Sequence, residues 1–292
     1  MQATAYSLRS YVASASAAPD ARRSAPGGII VPINTPTEEE IHGSVAQLFD
    51  RVLIGYPAKL LSALIPVDKT MHTGLTLINY VVDFEMQELC EFVNGFNVNL
   101  KQTDDKYQKV RLKTLIYCHI LEADLPLTVF WNLLCILNEE PCNWTFHHVT
   151  AKGKTEVCEF THQKIAEIAR LSSLTHTSIG GVLNRLWEPG LRNAFSHSQY
   201  CWMDDTLRRT NDLSPISRRQ KKSSATGSRY SFADVDILYQ RAQNLLYYFI
   251  ACYRLAIKNY QDGNAYKVQD GWVVWDDKAG WLWEQNARRR DV

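Results

Sequence analysis

Between residues 41 and 262, apolar positions recur mostly at intervals of three and four, the period of helices that bury one face. After "PTEEE", whose acids suit a first helical turn, the pattern runs through "IHGSVAQLFDRVLIGYPAKLLSALI", with Pro57 as a break. It returns in "LTLINYVVDFEMQELCEFVNGF" and "YQKVRLKTLIYCHILEADLPLTVFWNLLCILNEE". Turns are expected near Gly95 and Asp124–Pro126, and a stop at Pro141. The first half is therefore predicted to form antiparallel helices.

Residues 141–160, "PCNWTFHHVTAKGKTEVCEF", break the period and predict a loop or short hairpin. Helical spacing resumes in "THQKIAEIARLSSL" and "TSIGGVLNRLW", then restarts after Glu188–Pro189, where proline at a first helical position loses no needed donor. "YCWMDDTL" reads as strand, and "YSFADVDILYQRAQNLLYYFIACYRLAIKNY" as the longest helix, with Tyr and Leu at core spacing. "YKVQDGWVVWDDKAGWLWEQ" has two aromatic runs around a turn, the pattern of a hairpin. The expected organisation is an N-terminal arm over 1–40, a helical domain over 41–262 with insertions near 141–160 and 203–230, and a Trp-rich hairpin and tail over 263–292.

Composition narrows this only a little. A chain of 292 residues suits one large domain or two modest ones, and a formal charge of +1 gives no global argument for nucleic acid, so any basic surface must be local. Seven cysteines without a Cys-x-x-Cys pair fit reduced thiols in a cytoplasmic protein. No run reaches the roughly 18 apolar residues of a membrane span. The opening "MQATAYSLRSYVASASAAPDARRSAPGG" is rich in Ala, Ser and Arg with Asp20 as its only acid; it reads as a disordered arm, with an organellar transit peptide as the alternative.

The chemistry concentrates in "LRNAFSHSQY", residues 191–200. Arg followed by His across four to six residues is expected about 1.5 times by chance in such a composition. It occurs twice, so the spacing alone decides nothing. The second match, Arg170 and His176, has Leu171 where the first has Asn193, and reads as a decoy. On a helix Asn193 lies one turn from His197 and is expected to fix its ring, while Arg192 and His197 differ by about 140° and cannot simply stack. Arg192 would meet His197 by extending around the helix, through a bound anion, or across a second copy of the helix. A helix start also favours phosphate, through its free N–H groups and dipole.

"LRNAFSHSQY" resembles the signature of HEPN domains: an Arg, a polar residue often Asn, and a His after four to six residues, near the start of a late helix in an antiparallel bundle. The resemblance spans about ten residues, and the helix order from about 41 to 262 is compatible with it. It implies a mainly α fold: an antiparallel HEPN-like helical bundle with a small β insertion and a C-terminal β-hairpin. The implied activity is an endoribonuclease that needs no metal or other cofactor, working as a homodimer with two motif helices facing one composite site. Carried onto this chain, His197 would act as general base or acid around the ribose 2′-OH, Arg192 would hold the scissile phosphate, and Asn193 would orient His197 or the substrate. RNA is then the expected substrate, with an antitoxin or defence-complex partner in a bacterial antiviral or toxin-antitoxin setting. A non-catalytic HEPN module for dimerisation or partner binding is the competing expectation. Length, the basic insertion and the tryptophan-rich tail depart from a minimal unit.

Three weaker constellations accompany the motif. Arg218, Arg219, Lys221 and Lys222, with Arg208, Arg209 and Arg229 around them, form a solvated loop or an RNA-binding segment beside a phosphodiester site. Cys142, His147 or His148, Cys158 and His162 offer zinc-type donors without the compact finger spacing, so no metal is expected. Trp272, Trp275, Trp281 and Trp283 are expected to pack a hairpin on the bundle, with base stacking as the alternative.

Overall fold

Helix α1 (Glu38–Gly55) starts where the sequence supplies a reciprocal cap: Thr37 Oγ1 accepts from Glu40 N–H at 3.2 Å, and Glu40 Oε2 accepts from Thr37 N–H at 2.7 Å. It buries Ile41, Val45, Leu48, Phe49 and Val52 on one face. Tyr56 breaks the helix and Pro57 opens α2 (Pro57–Leu64), as its fixed φ allows. The computed structural model describes residues 33–65, 76–77, 79–149, 153–198, 200–203, 205–209, 230–268, 271–276 and 280–284. All of them fall in the unit Pro32–Val292. The expected N-terminal arm lies outside them but for its last residues, and Arg218, Arg219, Lys221, Lys222 and Arg229 lie outside as well.

After the two-residue strand β1 (Thr76–Leu77) come α3 (Asn79–Gln102), α4 (Lys106–Glu122) and α5 (Asp124–Leu137). The turn expected near Gly95 is absent: α3 runs through it, with the Phe92 and Phe96 rings in tilted contact at 4.6 Å between centroids. Ala123 breaks α4 from α5 with extended backbone. Every residue from Leu125 to Ile136 is buried, as a helix that is apolar all round must be. By length and composition the stretch Lys106–Leu137 is apolar enough to cross a membrane, but its most apolar window is 78% buried inside the bundle, as in a core helix.

A hairpin of β2 (His147–Val149) and β3 (Thr155–Val157) follows, then α6 (Thr161–Leu174), α7 (Ile179–Leu186) and α8 (Pro189–Ser196). Strands β4 (Tyr200–Met203), β5 (Thr206–Arg209) and β6 (Tyr230–Ser231) form an antiparallel sheet in that order. Helix α9 (Phe232–Lys258), capped by Ser231 and Asp234, packs along α1 and α4 and buries Val235, Leu238, Ala242, Leu245, Phe249 and Tyr253. Its tyrosines also tie it down: Tyr239 Oη donates to Asn97 Oδ1 at 2.5 Å and Tyr253 Oη donates to the Leu64 carbonyl at 2.9 Å. The fold is thus mainly helical with small antiparallel sheets.

The C-terminal region is larger than the expected hairpin. Strands β7 (Ala265–Val268), β8 (Gly271–Asp276) and β9 (Gly280–Glu284) form a meander, and β1 adds to β9, giving the order β1-β9-β8-β7. Trp272 and Trp275 are half-buried, and Trp275 packs against the core. Trp281 stands opposite Trp275 and Trp283 opposite Val273 in the strand register.

Candidate functional site

The quoted motif occupies α8, eight residues long, and the hinge that follows it. Proline at its first position leaves Arg192 as the fourth helical residue, whose N–H closes onto the Glu188 carbonyl at 3.1 Å. Leu191 and Ala194 face inward and are buried, which fixes the rotation of the helix. The approach to α8 is fixed by Tyr117 of α4, whose buried hydroxyl donates to the Leu186 carbonyl at 2.9 Å and accepts from Glu188 N–H at 2.8 Å. Burial pushes the Tyr117 hydroxyl well above its ordinary pKa, so it stays a neutral donor. Glu188 in turn accepts from Tyr230 Oη at 3.2 Å, and burial raises its carboxyl pKa.

Arg192 turns its Nε toward Glu122, the last residue of α4, in a hydrogen-bonded ion pair. Both side chains are about a third exposed, at 33% and 30%. The Arg192 Nη1 donates to Asn193 Oδ1 at 3.2 Å. Asn193 was expected to fix the His197 ring, and its side chain instead braces Arg192. Its backbone carbonyl still accepts from His197 N–H at 3.1 Å.

His197 is exposed and sits just past the helix, at its C-cap, rather than within it. The next residue, Ser198, has φ of 52°, the left-handed turn that ends the helix and leads to β4. Among the described residues the imidazole makes no hydrogen bond, and none links it to Arg192. Behind the hinge, Phe195 stacks on Tyr200 at 5.8 Å, and Tyr200, Trp202 and Phe232 continue edge to face, tying β4 to α9. The motif therefore presents a braced guanidinium from one small pinned helix and an exposed imidazole from its C-cap.

The other candidates resolve differently. Arg170 forms a two-pronged pair with Glu167, at 2.9 and 2.6 Å, and Leu171 is fully buried, so the second Arg–His match is structural. Cys158 Sγ lies 3.3 Å from His148 Nδ1, but Cys142 Sγ points to the Asn132 carbonyl at 3.9 Å and His162 stacks on Phe160. Among the described residues no three His, Cys, Asp or Glu side chains converge as metal ligands. Burial pushes the Cys158 thiol up to about 11, away from the thiolate a metal prefers. A cavity of about 380 Å³ lies beyond the α4–α5 elbow, lined by Glu85, Asp124, Trp144, Phe146, Cys158 and Lys164 among others, and no motif residue reaches it.

Residues 210–229 hold most of the basic segment and lie outside the described residues, but both of their anchors are described. β5 and β6, the strands on either side of that segment in sequence, pair directly, Thr206 with Ser231 and Leu207 with Tyr230. Tyr230, at its return, is the residue hydrogen-bonded to Glu188 at the start of the motif helix.

Tyr117, Glu122 and Glu188 were not singled out by sequence reading. Glu122 had one usable signal: a carboxylate at a helix C-terminus opposes the macrodipole and calls for a cationic partner. Comparisons of the chain with family models, curated proteins and solved structures return no match.

Proposed function

We propose that this chain is a HEPN-type endoribonuclease that cleaves RNA without a metal, as a homodimer, through Arg192 and His197. The observation that carries the reading is the pairing, on one short anchored helix and its C-cap, of a braced, partly exposed guanidinium with an exposed imidazole that has no hydrogen-bond partner among the described residues. Guanidinium matches a phosphodiester in shape and charge, and imidazole exchanges protons near neutral pH. In the proposed step His197 takes the proton of the ribose 2′-OH, the 2′ oxygen attacks the adjacent phosphorus, and the P–O5′ bond breaks. The 5′ oxygen leaves as a hydroxyl, taking up the proton that His197 accepted, directly or through water, and the other product ends in a 2′,3′-cyclic phosphate.

The basic segment bearing Arg218, Arg219, Lys221 and Lys222 supports RNA as the substrate, because its described anchor Tyr230 touches the motif helix through Glu188. A cytoplasmic role in antiviral defence or a toxin-antitoxin pair, with an antitoxin or defence-complex partner, follows from the resemblance of "LRNAFSHSQY" to HEPN ribonucleases. Wild type and His197→Ala incubated with mixed RNA in EDTA test the reading. Cleavage with cyclic phosphate ends, reduced about 10²- to 10⁴-fold in the variant, is the expected result. Equal cleavage by both proteins removes His197 from the mechanism. Absence of cleavage by either favours the second reading, a non-catalytic HEPN module for dimerisation or partner binding, which the lack of a hydrogen bond between Arg192 and His197 among the described residues supports.

A further inference from the structure

A free arginine side chain samples many rotamers, and ordering it costs entropy at the moment of binding. Arg192 is already ordered. Of the guanidinium's three nitrogens, Nε donates to Glu122 and Nη1 to Asn193, which leaves Nη2 without a hydrogen-bond partner among the described residues. The two braces differ in kind. Asn193 is the neighbouring residue and moves with Arg192, whereas Glu122 lies 70 residues earlier, on α4. The end of α4 is itself immobilised by buried Cys118, Ile120 and Leu121. Glu122 thus references the guanidinium to the core of the bundle and not merely to its own helix.

We infer that Glu122 is the positioning residue of Arg192: it grips the Nε edge so that Nη2 is presented to the scissile phosphate, without itself touching the substrate. This rests on the ribonuclease reading. A carboxylate at the end of α4 is disfavoured by the helix dipole, and the Arg192 partner offsets that cost. A purely structural ion pair at this level of exposure would contribute little to stability. The role of Glu122 is therefore read in rate and in the state of Arg192, and not in melting temperature.

The test compares wild type, Glu122→Gln and Glu122→Ala, with Arg192→Ala to assign the Arg192 Nε–H resonance in ¹⁵N NMR. The probe is a 2′-O-methyl oligoribonucleotide, which offers phosphates but no attacking hydroxyl. In wild type the Arg192 Nε–H is expected as a slowly exchanging resonance that shifts when the probe is added. In Glu122→Ala it joins the solvent-exposed arginines, and the single-turnover cleavage rate falls about 10- to 100-fold with KM changed less than about threefold. Glu122→Gln retains an acceptor oxygen and falls between the two, while both variants melt within a few degrees of wild type. Cleavage by Glu122→Ala at or above the wild-type rate overturns the inference, as does a wild-type Arg192 resonance indistinguishable from exposed arginines. If wild type cuts no RNA, the ribonuclease reading fails. A probe-dependent Arg192 shift that requires Glu122 would then still uphold the positioning role.

Discussion

Glu188 shows how much of the site depends on one half-buried carboxyl. Its backbone N–H is held by Tyr117 and its side chain accepts from Tyr230, so it links α4, β6 and the first turn of α8. Burial, followed by the Asp234 charge, raises its pKa above the ordinary value, while the Tyr230 hydrogen bond opposes the shift. In the window between the ordinary and raised values the folded chain binds more protons than the unfolded one, so this group's contribution to stability falls as pH rises through that window. Glu188→Gln keeps an acceptor for Tyr230 and removes the charge. Thermal melts are expected to place the variant above wild type at neutral pH, with the difference shrinking as pH falls below the ordinary carboxylate range. A constant difference across pH would assign the effect to packing. At this scale the closeness of Arg192, Asn193 and His197 along the chain was legible in the sequence, because a motif is local, but the brace from Asn193 to Arg192 was not. Tyr117 and Glu122 were not, since contacts made from another helix leave no periodic trace.

Helices were legible wherever the chain carries its own boundary chemistry. Pro57 and Pro189 open helices by fixing φ, and Thr37 with Glu40, and Ser231 with Asp234, close reciprocal caps. Gly95 was misread as a turn because glycine costs a helix only about 1 kcal/mol relative to alanine, which the packing of Val93 and Phe96 on the same helix overrides. Gly180 has a different reason for being glycine. A Cβ there would lie 2.5 Å from Ala169 Cα and 2.8 Å from Ser172 Cβ, so α6 and α7 touch nearly backbone to backbone. Gly180→Ala is expected to destabilise the chain by about 1–3 kcal/mol in denaturant melts. Gly181→Ala, where nothing lies within 4 Å of the added Cβ, is expected to be neutral or slightly stabilising and serves as the control. Similar losses in the two variants would show that helix propensity, and not the close approach of α6 and α7, sets the requirement.

Distant pairings lay beyond local pattern. The strand of Thr76–Leu77 joins the sheet through Trp283 and Leu282, some two hundred residues later, so an expected hairpin became one part of a four-stranded sheet. The same limit applies to any contact between copies, on which the proposed cleavage by two motif helices would depend. Arg192, in the middle of an eight-residue helix, is tethered toward α4 by Glu122, while His197 stands exposed just past the end of that helix, five positions on. At 1.5 Å and 100° per residue the two differ by about 7.5 Å along the axis and about 140° around it, so under the proposed ribonuclease reading a single phosphate is better bracketed by Arg192 of one copy and His197 of another. A two-fold dimer offers two such cross-copy pairs. Mixing Arg192→Ala with His197→Ala, after allowing subunits to exchange, leaves one intact cross-copy pair in each heterodimer. Statistical pairing then restores on the order of a quarter of wild-type cleavage, since half the dimers are mixed and each retains one of two pairs. If Arg and His instead act within one chain, the mixed dimer has no intact pair and cleavage stays at the level of the separate variants.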